Sequence, residues 1–171
     1  FIIPALKRSG RGNNMYYKEP FFGGGSIGLR LFFNNSDIKK IWINDKDIGI
    51  GCLWTSVIQY PDDLKELVRG FKPSVDSFFQ FKEELSKIDA LVIPQNRYGI
   101  TLVGFKKLAI HQISYSGLGS MAGGPLGGTK QLSAYDVGCR WSAKRLCDRI
   151  SRLHNQFLAI NVLDRKCTSF H

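Results

Sequence analysis

A glycine-rich segment near the start of the chain has residue types that suit a nucleoside cofactor. Gly23, Gly25 and Gly28 match the pattern G-x-G-x-x-G. Asp45 follows Gly25 by 20 residues. In such patterns the glycines let the backbone approach a nucleotide closely, and an acidic residue after the next strand accepts hydrogen bonds from the ribose hydroxyls. The spacing therefore predicts a cofactor site. It leaves open a dinucleotide, whose pyrophosphate needs a helix N-terminus, and S-adenosylmethionine, which has no phosphate.

Two strand–helix units are predicted to position these residues. Residues 15–18 are typical of a short strand, and residues 21–28 of a glycine-rich turn that opens a helix. A second predicted strand over residues 40–44 ends at Asp45, and a second helix follows over residues 48–60. Two successive β-α units imply a parallel, doubly wound sheet, so the fold class expected here is α/β.

The pattern changes after Pro61 and becomes mainly helical. Apolar spacing predicts helices over residues 61–70, 75–88 and 141–157, and residues 116–129 are too rich in glycine for a regular element. An apolar run over residues 157–163 predicts a strand that rejoins the first sheet. We therefore expect three segments along the chain. They are a partial Rossmann-like domain over residues 1–60, an inserted helical domain over residues 61–156, and a return strand within residues 157–171.

The charge of the protein is concentrated in the predicted insertion. The chain carries 24 Lys and Arg against 14 Asp and Glu, a net charge of +10. Residues 97–152 hold nine of the basic residues and two of the acidic ones. A basic segment between less charged ones indicates an anionic partner, most often nucleic acid. The alternative is a solvated cationic surface.

Other features of the composition exclude several classes of protein. No apolar run reaches the roughly 18 residues of a membrane helix, and the first residues lack the order of a signal peptide. The four cysteines and three histidines are too widely spaced for a metal site. We expect a soluble, cytoplasmic and monomeric protein with reduced thiols, no metal ion and no membrane partner.

The amino-acid sequence of the glycine turn resembles that of one protein family. Residues 19–27 read EPFFGGGSI and residues 44–47 read NDKD, as in adenine-N6 DNA methyltransferases of the DNA adenine methylase type. The resemblance continues through FFQFKEE at residues 78–84 and AIHQISYSGL at residues 109–118. It includes residues 125–130, where the family has a ribbon that enters the DNA groove, and the sequence VLD that ends at Asp164.

The resemblance implies the cofactor S-adenosylmethionine, double-stranded DNA as the partner, and the cytoplasm of a bacterial or phage-infected cell. The implied cofactor-binding residues flank the glycine turn or end a strand: Glu19, Pro20, Phe21, Gly23, Gly25, Asp45 and Asp164. The implied DNA-binding residues are Tyr115, Ser116 and Lys130. On the predicted helix 141–157, Arg145, Arg149 and Arg152 are either candidates for phosphate contacts or residues that solvate that face. The recognition sequence does not transfer, because Ser116 and Ser120 replace the Asn and Arg that the family often has.

The reaction of that family is attack of an adenine amine on a methyl sulfonium. The amine is a poor nucleophile, so the family holds a flipped-out adenine with a sequence of the Asp-Pro-Pro-Tyr kind. No such tetrapeptide occurs in these 171 residues, so the catalytic residues are not assigned. We expect a fragment, truncated at both ends and inactive alone. Two alternatives remain: a non-catalytic DNA-binding module, and an oxidoreductase that uses a nicotinamide dinucleotide.

Overall fold

The computed structural model describes residues 15–34, 38–88 and 94–159. These residues divide into two compact units. The described residues before Asp47, together with those after His154, form the first, here the sheet unit. The second, here the helical unit, is Asp47–His154. The first boundary therefore differs from the expected one at residue 60, because the helix that follows Asp47 packs with the helical unit.

The sheet unit is built on two parallel strands. Strand β1 is Met15–Glu19, helix α1 is Ser26–Asn34 and strand β2 is Ile38–Ile43. The predicted order of strand, glycine turn, helix and strand is confirmed. Opposite Tyr17 in the parallel register lies Ile41. In the part of the chain that the structure describes, the sheet consists of these two strands, and the wider Rossmann-like sheet stays a prediction.

The helical unit contains four helices and most of a fifth. Helices α2 (Ile48–Gln59), α3 (Pro61–Gly70) and α4 (Val75–Ser86) confirm the predicted helices. Helix α5 (Arg97–Ile113) was not predicted. Helix α6 (Ala143–Ala159) begins in this unit. Between α5 and α6 lie two short 3₁₀ turns, Tyr115–Gly117 and Gly119–Met121, followed by irregular backbone, as the glycine content predicts.

Local side-chain chemistry explains where these helices begin. Asp47 caps α2 by accepting from the Ile50 backbone N–H at 3.2 Å, and Asn96 caps α5 by accepting from the Gly99 N–H at 2.7 Å. At α4, Ser74 and Ser77 form a reciprocal capping box. Because each cap satisfies a backbone donor that the helix itself leaves unpaired, the caps fix the first turn.

Helix α5 is the centre of the helical unit. It packs against α2, α3, α4 and the second 3₁₀ turn. A Cβ on Gly104 of α5 would lie 2.8 Å from the backbone oxygen of Cys52 in α2, so the two helices approach closely. The ammonium of Lys107, which is 5% exposed, forms an ion pair with Asp47 at 2.5 Å. In α4, Phe78 and Phe81 are buried in the core, whereas Phe79 is 46% exposed.

The predicted strand over residues 157–163 is wrong in its first part. Residues 157–159 continue helix α6, and residues 160–163 lie outside the described residues. In the sheet unit, the buried ring of Phe157 packs against Phe32 and Phe33 of α1, with centroids 6.1 and 5.5 Å apart. Phe157 falls on the same helical stripe as Ile150 and Leu153, so burial favours continuing the helix over beginning a strand.

Candidate functional site

The glycine turn and the acidic residue after β2 lie together in the sheet unit. The Asn44 N–H donates to the Glu19 carbonyl at 3.0 Å, and the Phe22 N–H donates to the Asn44 carbonyl at 2.9 Å. Backbone hydrogen bonding between the two segments therefore continues beyond the C-terminal ends of β1 and β2. The Gly23 N–H then donates to Asp45 Oδ2 at 2.7 Å. The Asp45 carboxylate is therefore oriented onto the turn.

The backbone of this turn needs glycine at two positions. Gly23 has a φ of +50° and Gly25 a φ of +71°, in the left-handed region that side chains disfavour. The Gly25 N–H donates to the Phe22 carbonyl, and the Gly25 carbonyl accepts from Leu29 in the first turn of α1. Pro20 and Phe21 are exposed beside the turn, with Phe21 76% exposed. They present an apolar edge next to the backbone.

Glu19 has a different environment from Asp45. Its Oε2 is buried and, among the described residues, has no hydrogen-bond partner. The same oxygen lies against Gly28, where a Cβ would collide with it. Burial raises the pKa of the Glu19 carboxyl above its ordinary value of 4.5, although the nearby Tyr17 hydroxyl and Gly28 backbone N–H oppose this shift. Burial and the nearby Glu19 also raise the pKa of Tyr17.

The predicted cofactor residues therefore fall into two groups. The structure brings five of them to the turn or its edge: Glu19, Pro20, Phe21, Gly23 and Gly25. Asp45 joins them through its bond to Gly23. The predicted candidate Asp164 lies outside the described residues.

The predicted DNA-binding residues Tyr115 and Ser116 occupy an exposed turn of the helical unit. Tyr115 is 66% exposed, and Ser116 has a φ of +56°. Bonds at the base of the turn hold it in place. The Gly119 N–H donates to Ser114 Oγ at 2.9 Å, and His111 Nδ1 lies 2.9 Å from the Gly117 carbonyl oxygen.

Two exposed apolar side chains in the same turns were not among the predicted residues. Leu118 is 58% exposed and Met121 is 85% exposed. With Tyr115 they recur every three residues. Leu118 lies between the two 3₁₀ turns, and the left-handed backbone at Ser116 separates it from Tyr115, so the three side chains do not follow one regular helix. Their spacing in the sequence therefore could not have indicated their exposure.

Lys130 lies in a second exposed loop of the helical unit. The side chain of Gln131 organises this loop, because its Nε2 donates to the Leu126 carbonyl at 2.9 Å and its Oε1 accepts from the Val137 N–H at 2.7 Å. The side chain of Lys130, next to Gln131 in the chain, is exposed. The loop therefore presents a cation from a fixed backbone.

Arg145 and Arg149 lie on one face of α6, four residues apart, and both are exposed. Arg152 is exposed three residues further along the same face. The opposite face is buried in the helical unit at Cys147 and Ile150. The structure therefore places Arg145, Arg149 and Arg152 on one exposed face of the helix.

One groove of the helical unit contains none of the predicted residues. It has a volume of about 710 Å³, and Leu67, Phe71, Tyr98 and Phe105 are among the residues that line it. At its edge Arg97 donates to both carboxylate oxygens of Asp63, at 2.5 and 2.6 Å. Phe71 also contacts the ring of Trp141, with centroids 4.9 Å apart.

No protein-family model and no curated protein matches this chain. Within residues 15–34, 38–88 and 94–159, no group of three or more His, Cys, Asp or Glu is placed to hold a metal ion. No helix in the same part of the chain is long and apolar enough to cross a membrane. Cys139 and Cys147 are free thiols.

Proposed function

We propose that this chain belongs to an S-adenosylmethionine-dependent enzyme that methylates the N6 amine of adenine in duplex DNA. The observation that carries the proposal is the 2.7 Å hydrogen bond from the Gly23 N–H to Asp45. It joins the glycine turn after β1 to the acidic residue after β2. This is the arrangement in which a turn receives a nucleoside cofactor while a carboxylate binds its ribose.

The charge at the turn favours S-adenosylmethionine over a dinucleotide. Two carboxylates, Glu19 and Asp45, lie at the turn, and residues 19–27 contain no Lys or Arg. A pyrophosphate would bring two further negative charges next to these groups. S-adenosylmethionine brings a positively charged sulfonium and an ammonium group, which carboxylates attract.

The residues of this chain would bind and orient the reactants. When bound, S-adenosylmethionine supplies a methyl group on a positively charged sulfur. Asp45 would accept hydrogen bonds from the ribose hydroxyls, and Phe21 would form an apolar wall beside the turn. Gly23 and Gly25 would leave room for the methionine portion against the backbone. Holding the methyl carbon in line with the attacking nitrogen is the main service that such a site provides.

The helical unit supports DNA as the substrate. Tyr115 and Ser116 project from a turn that hydrogen bonds at its base hold in place. Exposed aromatic and apolar side chains at such a turn suit contact with bases displaced from the stack. Lys130 supplies a cation from the second loop. Residues 97–152 also have a net charge of +7, which attracts a polyanion.

Methyl transfer tests the proposal. Radiolabelled S-adenosylmethionine and mixed-sequence duplex DNA are incubated with the protein as its complete reading frame encodes it, and in parallel with the 171-residue chain. The DNA is then digested to nucleosides. We expect label in N6-methyladenine from the complete reading frame. Label in cytosine would overturn the choice of base. DNA binding without any label or cofactor binding would instead support a non-catalytic DNA-binding module.

A further inference from the structure

We propose that Arg145, Arg149 and Arg152 on α6 form a contact site for the phosphodiester backbone of duplex DNA. These three residues are called the arginine stripe below. The inference rests on the proposed function only in taking DNA as the partner. It concerns a surface separate from the glycine turn and from the turn that carries Tyr115.

The geometry of α6 places the three guanidinium groups in a row. They occur at positions i, i+4 and i+7, so they share one face of the helix and span about 10.5 Å along its axis. All three are exposed. The buried face of α6 is fixed in the helical unit by His154, whose Nδ1 lies 3.0 Å from the Ile58 carbonyl oxygen, and by the burial of Ile150.

Five cations of this unit have carboxylate partners, whereas the arginine stripe, like Arg69, Lys82 and Lys144, has none among the described residues. Ion pairs join Lys65 to Asp62, Lys87 to Glu83, Arg97 to Asp63, Lys106 to Glu84, and Lys107 to Asp47. No arginine of the stripe forms an ion pair with any residue that the structure describes. This includes Asp148, which is three residues from Arg145 and four from Arg152.

Such a row places like charges close together on one helix. Like charges four residues apart on a helix destabilise it by about 0.2–0.5 kcal/mol per pair. Asp148 is three residues from Arg145 and four from Arg152, so it offsets part of this repulsion. A bound polyanion would remove the part that remains.

The chemistry of the stripe favours a phosphate backbone over isolated anions. Guanidinium groups match phosphate oxygens with two parallel hydrogen bonds. The phosphates of DNA form a continuous row of negative charge, and each of the three long guanidinium side chains can pair with one of them. Backbone contacts of this kind set affinity and register and carry no sequence information. The arginine stripe would thus complement the exposed turn at Tyr115.

Salt-dependent binding of fluorescein-labelled duplexes tests this inference on the full chain without cofactor. The variant R145Q/R149Q/R152Q is compared with R69Q/K72Q/K87Q, which removes the same charge from exposed residues of the helical unit. Each phosphate contact makes the plot of log affinity against log salt steeper by about 0.9, so the loss of three contacts should make the plot of the stripe variant less steep by about 2.7. Between 50 and 200 mM salt, the affinity of the wild type should therefore fall about 40-fold more than the affinity of the stripe variant. The control variant should change the slope by less than about one. Circular dichroism verifies that both variants fold.

Several outcomes would overturn the inference. Equal losses in the two variants would mean that net charge alone attracts DNA. An unchanged slope in the stripe variant, or equal stripe-dependent binding of polyglutamate, would exclude a phosphate backbone site. A loss that differs between two duplex sequences would exclude a purely backbone contact. If the slope changes as expected but no methyl transfer is found, the phosphate contact site is supported and the proposed enzyme activity fails. If methyl transfer is found but the slope of the stripe variant is unchanged, the enzyme activity is supported and the contact site fails.

Discussion

At the scale of single residues, Gly28 determines whether the glycine turn can close. A Cβ at this position would collide with Glu19 Oε2 and lie 2.6 Å from the buried ring of Phe22. We expect Gly28→Ala to lower the free energy of unfolding by about 1–3 kcal/mol, the usual cost of overpacking. Urea titration measures this loss. Gly24→Ala is the matched control, because nothing lies within 4 Å of a Cβ there. Equal stability of the two variants would contradict the packing described.

Glu19 should give the stability of the chain a dependence on pH. Burial raises its pKa above the ordinary value of 4.5, so the unfolded chain loses this proton at lower pH than the folded chain. The stabilising contribution is complete below the ordinary pKa and is lost as pH rises through the folded pKa. Glu19→Gln should therefore gain stability relative to wild type between about pH 4 and about pH 7. Urea midpoints at both pH values measure the gain, with the exposed Glu66→Gln as the control for charge. A difference that does not change with pH would contradict the burial of Glu19.

At the scale of helices, the approach of α2 and α5 depends on Gly104. A Cβ there would lie 2.8 Å from backbone atoms of Cys52 and Leu53, which cannot rotate away. We expect Gly104→Ala to cost about 1–3 kcal/mol despite the better helix propensity of alanine. Gly70→Ala in α3, with nothing within 4 Å of its Cβ, should leave stability unchanged or raise it by up to about 1 kcal/mol. Thermal unfolding of the Gly104→Ala and Gly70→Ala variants measures this difference. Similar unfolding midpoints would contradict the close contact between α2 and α5.

The sequence predicted the helices whose apolar residues lie on one face. It did not predict α5, which has no such single apolar face. In α4, Phe78 and Phe81 fall on a single stripe, and the helix was found. Helix α5 contacts several elements, and its buried residues lie between Thr101 and Ile113 and include the polar Thr101 and Lys107, so no single apolar stripe marks it. The apolar run after Phe157 was ambiguous between strand and helix, and packing against α1 decided for helix at residues 157–159.

At the scale of the whole molecule, the candidate site was predictable in part. The spacing of Gly23 and Asp45 predicted their association, because each follows one of two neighbouring strands. Their direct hydrogen bond was not predictable, since it depends on the left-handed backbone at Gly23. The absence of ion pairs along the arginine stripe, among the described residues, also needed the structure. Side-chain partners are set by tertiary packing, which periodicity does not encode.

Isothermal titration calorimetry with S-adenosylmethionine and, separately, NADH tests the central claim most directly. We predict that the chain binds S-adenosylmethionine and not the dinucleotide. Asp45→Asn should weaken binding about 10- to 100-fold, because hydrogen bonds to a charged acceptor contribute about 1.5–3 kcal/mol. The exposed Asp76→Asn should bind as wild type does. Binding of NADH without S-adenosylmethionine, or an Asp45→Asn variant with unchanged affinity, would contradict the assignment of this turn as an S-adenosylmethionine site.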